Sequence, residues 1–148
     1  MTLSNASMEP RVVTRSLITI DGVQIAAYNT HLDYTGEVMP DGTVVRLAQM
    51  RFIYDLMNSD PCPYRILTGD FNVSGWEDFE IFSESDKYAL ANNADNPIAT
   101  FFTNGDKSKP AYIDNVIYTK DTLELLDVFN TDSDFSDHLM LTAKFRTK

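Results

Sequence analysis

Asp21-Gly22, set between the β-rich runs 12–20 and 23–30, constrains this chain more than any other feature. An Asp-Gly pair tolerates the positive φ angles of a two-residue turn, and between two β-forming runs it is the strongest short-range hairpin signal. The residues that follow limit the choice further. A polar loop over 33–43 contains Gly36, Pro40 and Gly42, which prevent regular structure. From 44 to 58 the pattern becomes helical, because Leu47, Met50, Ile53 or Tyr54, and Met57 recur at steps of three and four. Pro61 and Pro63 end that helix. A short strand is expected over 64–68, a short helix over 76–82 and a short strand over 100–103, with loops at 92–97 and 104–110. Strands over 112–119, 123–129 and 138–145 close a sheet-rich α+β chain without internal repeats or linkers.

Bulk composition excludes several classes. A chain of 148 residues, 43% hydrophobic and 23% charged, suits one globular domain. No apolar run approaches the roughly 18–20 residues that span a bilayer. The first ten residues lack the basic head and apolar stretch of a signal peptide. Twelve Lys and Arg against 22 Asp and Glu argue against a broad cationic nucleic-acid surface, although a divalent ion supplies the positive charge in acidic nucleases. The lone Cys62 has no second Cys for a disulfide or a zinc site. The compartment, cytoplasmic or secreted, stays open; Asn72-Val73-Ser74 fits a glycosylation sequon, a pattern that arises often by chance.

Polar residues at strand ends carry the chemistry. His31 closes a strand in Tyr28-Asn29-Thr30-His31-Leu32-Asp33, where alone it reads as an ordinary strand-end histidine. In Leu67-Thr68-Gly69-Asp70-Phe71-Asn72 the glycine permits a sharp turn, after which a carboxylate and an amide are offered to solvent. The same residues also suit an Asx turn. Asp114 interrupts the β-formers of Tyr112-Ile113-Asp114-Asn115-Val116-Ile117-Tyr118, and a buried carboxylate there requires a partner, which a histidine would satisfy. Ser136-Asp137-His138 is not a serine-hydrolase triad, because strand neighbours point in opposite directions and no Gly-x-Ser-x-Gly elbow is present. Nor do Asp132 and Asp134 start a calcium loop, since Asp137 and Ala143 stand where glycine and glutamate are needed. Asp127, Asp132 and Asp134 read as solvated acids. Arg46 and Gln49 share a helix face and read as structural anchors.

Together, Asn29-Thr30-His31-Leu32-Asp33, Arg46-x-x-Gln49, Gly69-Asp70-Phe71-Asn72, Ile113-Asp114-Asn115-Val116-Ile117 and Ser136-Asp137-His138 resemble, in order, the motifs of the endonuclease/exonuclease/phosphatase (DNase I-like) family. Each motif is weak alone; five in order are specific. The resemblance spans 11–148 as the C-terminal part of such a domain, with 1–10 expected to be a tag or disordered leader; Ser4-Asn5-Ala6 is similar to a vector scar. It implies half of a four-layer α/β/β/α sandwich, with a mainly antiparallel or mixed sheet and one or two flanking helices. It also implies hydrolysis of phosphoesters, diester or monoester, by in-line attack of water with Mg2+ or Mn2+. By resemblance, Asp70 positions or deprotonates the water, and Asn72 fixes both the phosphate and Asp70. His138 donates to a phosphate oxygen and is oriented by Asp114. His31 is a second phosphate group, and Asp137, with Asp70, contacts metal.

The resemblance also implies an N-terminal half carrying a metal-binding glutamate, for which the ten residues before Arg11 are too few. The expectation is therefore a fragment whose uncovered sheet face pairs with the missing half or with a second copy, and which is not catalytically competent alone. The substrate is then a phosphoester of a small molecule, lipid head group or nucleic acid, with the acidic balance favouring the first two. A non-catalytic acidic scaffold derived from such an enzyme is the alternative.

Overall fold

The computed structural model describes residues 2–3 and 10–148. Along the chain run β1 (Thr2–Leu3), β2 (Arg11–Ile20), β3 (Val23–His31), α1 (Val45–Ser59) and β4 (Tyr64–Asp70). A 3-10 turn (Trp76–Phe79) then enters α2 (Glu80–Ser83). After these come β5 (Tyr88–Leu90), β6 (Phe101–Phe102), β7 (Pro110–Ala111), β8 (Asp114–Thr119), β9 (Leu123–Thr131) and β10 (Met140–Thr147). Most of the expected leader lies outside the described residues; within it, Thr2 and Leu3 pair antiparallel with Val12 and Arg11.

The hairpin forms as the Asp-Gly pair dictates, with φ of 50° at Asp21 and 82° at Gly22. Among the described residues six strands build a mixed sheet in the order β1-β2-β3-β4-β8-β5. β3 and β4 are parallel and joined through α1; the other neighbours are antiparallel. Register places Tyr28, Leu67 and Ile117 in one row across three strands. All three are buried in a cluster with Met50, Ile53 and Met57 of α1 and with Phe71, Phe79 and Phe82. The expected helical stripe is thus the contact surface, and Leu47 and Tyr54 pack at its margin.

Buried polar residues tie the helix to the sheet. Gln49 accepts the Asp33 N–H at 2.9 Å, and Arg46 reaches Asp78 at 3.0 Å and Ser74 at 2.6 Å, so both act as the expected anchors. Asp60, just past α1, accepts from Arg15 Nε at 2.7 Å, from the Tyr28 hydroxyl and from the Cys62 N–H. The hydrogen bond from Arg15 holds the Asp60 carboxyl well below the usual carboxylate range, against the opposing effect of burial.

Strand alternation gives the sheet a second face. There the β9–β10 hairpin covers Ile66, Val116 and Tyr118 with Leu125, Val128, Leu141 and Phe145, the Tyr118 and Phe145 rings lying 4.9 Å apart. The same face of β2 stays open: Val12, Ile18 and Ile20 are 47%, 44% and 55% exposed.

Several boundaries differ from the sequence reading. The strand expected to end at Thr68 continues through Gly69 to Asp70. Gly69 serves close strand approach, because a Cβ there would lie 2.0 Å from the Thr30 carbonyl oxygen. The turn comes later, at Asn72, with φ of 50°. β8 begins at Asp114, so that acid caps the strand where the reading placed it inside. β5 went unanticipated, since three residues are too short for alternation to register.

A candidate active site at the tips of three strands

β3 and β4 end side by side and β8 starts beside them. Register sets His31 opposite Asp70, and Asp70 opposite Asp114. Three residues distant in sequence thereby form one transverse row. His31 Nε2 lies 3.4 Å from Asp70 Oδ2. His138 joins from the segment before β10, held by a bridge to Phe101 whose ring lies 5.0 Å from the imidazole. Its Nδ1 is 2.8 Å from Asp114 Oδ2, and its Nε2 is 3.9 Å from Asp70 Oδ2. The histidine that Asp114 required is therefore His138.

These side chains open into a cleft of about 610 Å³. Its walls include Asn29 and Thr68 from the sheet and Asp132, Ser133 and Ser136 from the loop after β9. Asp132, read from sequence as a solvated acid, lines this cleft; no local pattern marks it, since only the path of the loop brings it there. Asn72 stands behind Asp70: its N–H donates to Asp70 Oδ1 at 2.9 Å and its Nδ2 to the Leu32 carbonyl at 3.0 Å. Asp137 is exposed and lies outside the cluster of Asp70, Asp114 and His138, although its charge acts on His138.

Electrostatics follow from this crowding. Burial is the main influence raising the Asp70 pKa; the Asn72 N–H opposes it, Asp114 adds to it, and the two histidines oppose it. For His138 burial acts to lower the pKa, but the hydrogen bond and charge of Asp114, with the charges of Asp70 and Asp137, outweigh it and leave a net rise. The site thus pairs a reluctant carboxylate with an imidazole biased toward the proton.

No family model and no curated protein matches the sequence. Solved structures do match. An endonuclease/exonuclease/phosphatase from Bacteroides vulgatus superposes with a TM-score of 0.77 at 17% identity, over 96% of this chain and 57% of that one. The chain has the endonuclease/exonuclease/phosphatase fold. D. rerio TDP2 complexed with a single-strand DNA product gives 0.72 at 16% identity, over 96% and 64% of the two chains. A Bacteroides thetaiotaomicron mannosyl-6-phosphatase gives 0.65 at 16% identity, over 95% and 59%. This chain therefore spans less than two thirds of each of these three structures.

The endonuclease/exonuclease/phosphatase fold raises the question of a metal. Asp70, Asp114 and His138 each offer a ligand atom, all within 4.8 Å of one another. Two carboxylates and an imidazole are a donor set able to hold a divalent cation with water completing the shell. The donor set fits a cation, with Asp114 already engaged by His138 Nδ1.

Proposed function

We propose that this chain carries the general-base and phosphate-binding side of a metal-dependent phosphoester hydrolase. The observation that supports the reading best is Asp70, a carboxylate 16% exposed, flanked by two imidazoles and backed by Asp114. Asp70 takes a proton from water while the water oxygen bonds to phosphorus and the ester oxygen leaves. Its raised pKa makes it a stronger base than an ordinary carboxylate. His138, in its protonated form, which the neighbouring carboxylates favour, donates from Nε2 to a non-bridging phosphate oxygen, where negative charge is stabilised as the leaving bond breaks. Asp114 orients that ring and stabilises its cation by accepting from Nδ1. His31 supplies a second phosphate contact, and Asn72 fixes Asp70 from behind. Mg2+ or Mn2+, held by Asp70, with Asp137 acting through water, would neutralise phosphate charge.

Because the chain spans 57% of the Bacteroides vulgatus structure, the full reaction is proposed for the complete catalytic unit, and this chain alone is expected to turn over slowly. The open face around Ile18 and Ile20 is proposed to pack against a partnering sheet. That exposed face also motivates the second reading, a non-catalytic scaffold that binds a partner through it. Relatives of the fold include a DNA product complex and a sugar phosphatase, so the substrate class is kept at phosphoester.

The test is a phosphodiesterase and phosphomonoesterase assay of the complete catalytic unit with Mg2+ or Mn2+, alongside calorimetric titration of each metal. Hydrolysis lost in Asp70→Asn and His138→Ala is the expected result. Equal rates in both variants and the parent would reject the reading.

A further inference from the structure

Asp114 and His138 meet at 2.8 Å although 24 residues separate them, and they arrive on segments that do not pair with each other in the main sheet. Something must fix the distance between the two backbones. One residue bonds to both. Thr100 is fully buried; its Oγ1 accepts the Asp114 N–H at 3.2 Å, and its carbonyl accepts the N–H of Leu139, next to His138, at 2.7 Å. Its own N–H is held by the Ala111 carbonyl at 2.9 Å. Thr100 thus has three bonds on three segments and no freedom to drift.

The loop that delivers Thr100 is itself clamped by amides. Asn92 N–H donates to Asn115 Oδ1 at 3.1 Å, and Asn115 Nδ2 donates to the Asn92 carbonyl at 2.7 Å. Asn92 then spans the loop, its Nδ2 donating to the Ile98 carbonyl at 2.8 Å and its Oδ1 accepting the Ile98 N–H at 2.8 Å. The same Nδ2 lies 3.3 Å from the Asp114 carbonyl. Asn92 and Asn115 are 0% and 2% exposed, so each of these groups would be costly to leave unpaired. Both polar groups of the Asp114 backbone are therefore gripped from this loop, the N–H by Thr100 and the carbonyl by Asn92.

We propose that Thr100 is a positioning residue that sets the Asp114–His138 spacing, with Asn92 locking the loop that carries it. The inference rests on reading Asp114 and His138 as a working pair. Thr100 reaches no cleft-lining position and touches no reacting atom; it acts through the two backbones it joins. Phe101, the next residue, finishes the same job by bridging to His138 and laying its ring against the imidazole.

The experiment compares Thr100→Val, which keeps the volume and removes the hydroxyl acceptor, with Thr100→Ser, which keeps the hydroxyl. The chain has two histidines, so 1H–15N spectra of the imidazoles are simple, and His31→Asn identifies the His138 signals. In the parent and in Thr100→Ser, the neutral His138 ring is expected to carry its proton on Nδ1. In Thr100→Val that single tautomer is expected to give way to a mixture. Where hydrolysis is measurable, kcat should fall about tenfold to a hundredfold, as small misplacements do, with KM within about threefold. A Thr100→Val ring spectrum identical to the parent would overturn the proposal, even if its melting temperature fell. Should Thr100→Val not fold, Thr100→Ser decides: loss of the Nδ1–H tautomer despite the retained hydroxyl would overturn it equally. A tautomer change with no hydrolysis by the complete catalytic unit would uphold the positioning role and sink the hydrolase reading instead.

Discussion

Gly69 crosses Thr30 so closely that a single added carbon would stand 2.0 Å from the Thr30 carbonyl oxygen. The contact lies one residue before Asp70, in the strand pair that aligns Asp70 with His31. Gly69→Ala should force β3 and β4 apart at their tips. The expected cost is about 1–3 kcal/mol, typical of overpacking a dense site, measured by urea unfolding. The change should weaken metal binding as well, whereas Gly22→Ala, with open space around it, should leave metal binding intact.

Asp70 and His138 should each be indispensable for catalysis in the complete unit. Replacing either is expected to lower kcat by about 10²- to 10⁴-fold. Asp114→Asn combined with His138→Ala should cost little more than His138→Ala alone, because the two act as one device. Strictly additive losses would show that Asp114 works independently of the imidazole.

Asp70→Asn should also stabilise the chain at neutral pH. Burial raises the folded-state pKa of Asp70, so ionisation is harder in the native protein than in the unfolded chain. That penalty operates above the folded pKa and vanishes below the unfolded value of roughly 3.9. The gain from Asp70→Asn should therefore be present at pH 7 and disappear near pH 3. Urea midpoints across that range give the answer.

Asp60 should behave in the opposite sense. Its folded pKa is depressed by Arg15, so its contribution is complete above roughly pH 3.9 and is lost as pH falls toward the folded value. Asp60→Asn is expected to destabilise the chain at pH 7 and to flatten its acid sensitivity. A variant unfolding in acid as steeply as the parent would remove Asp60 from the account.

Ile18 and Ile20 protrude on the sheet face that the β9–β10 hairpin leaves open. Replacing both with Lys should leave the melting temperature nearly unchanged while lowering the self-association seen by light scattering. A parent that stays monomeric at high concentration would argue that the face needs no cover.

Much of this architecture is legible in the sequence because it is local. Asp21-Gly22 specifies its own turn, and Met50, Ile53 and Met57 disclose their shared face by spacing alone. Asp114 could be read as needing a partner because an acid among β-formers is costly to bury. What resisted reading depends on contacts between distant segments. Asn92 and Thr100 look like ordinary loop residues until the fold buries them around Asp114. Gly69 suggested a turn, and only the neighbouring strand reveals that its missing side chain makes room for Thr30. Asp132 sits in an acidic loop whose course past the cleft no periodicity encodes.

The transverse row of Tyr28, Leu67 and Ile117 has a meaning beyond cohesion. Side chains on a strand alternate, so sliding β4 by one position would swing Asp70 into the helix layer and turn Leu67 onto the face that bears the cleft. Those three apolar residues act as an indexing pin for the carboxylate three positions along. Errors in greasy packing would therefore be felt first as a misaimed charge.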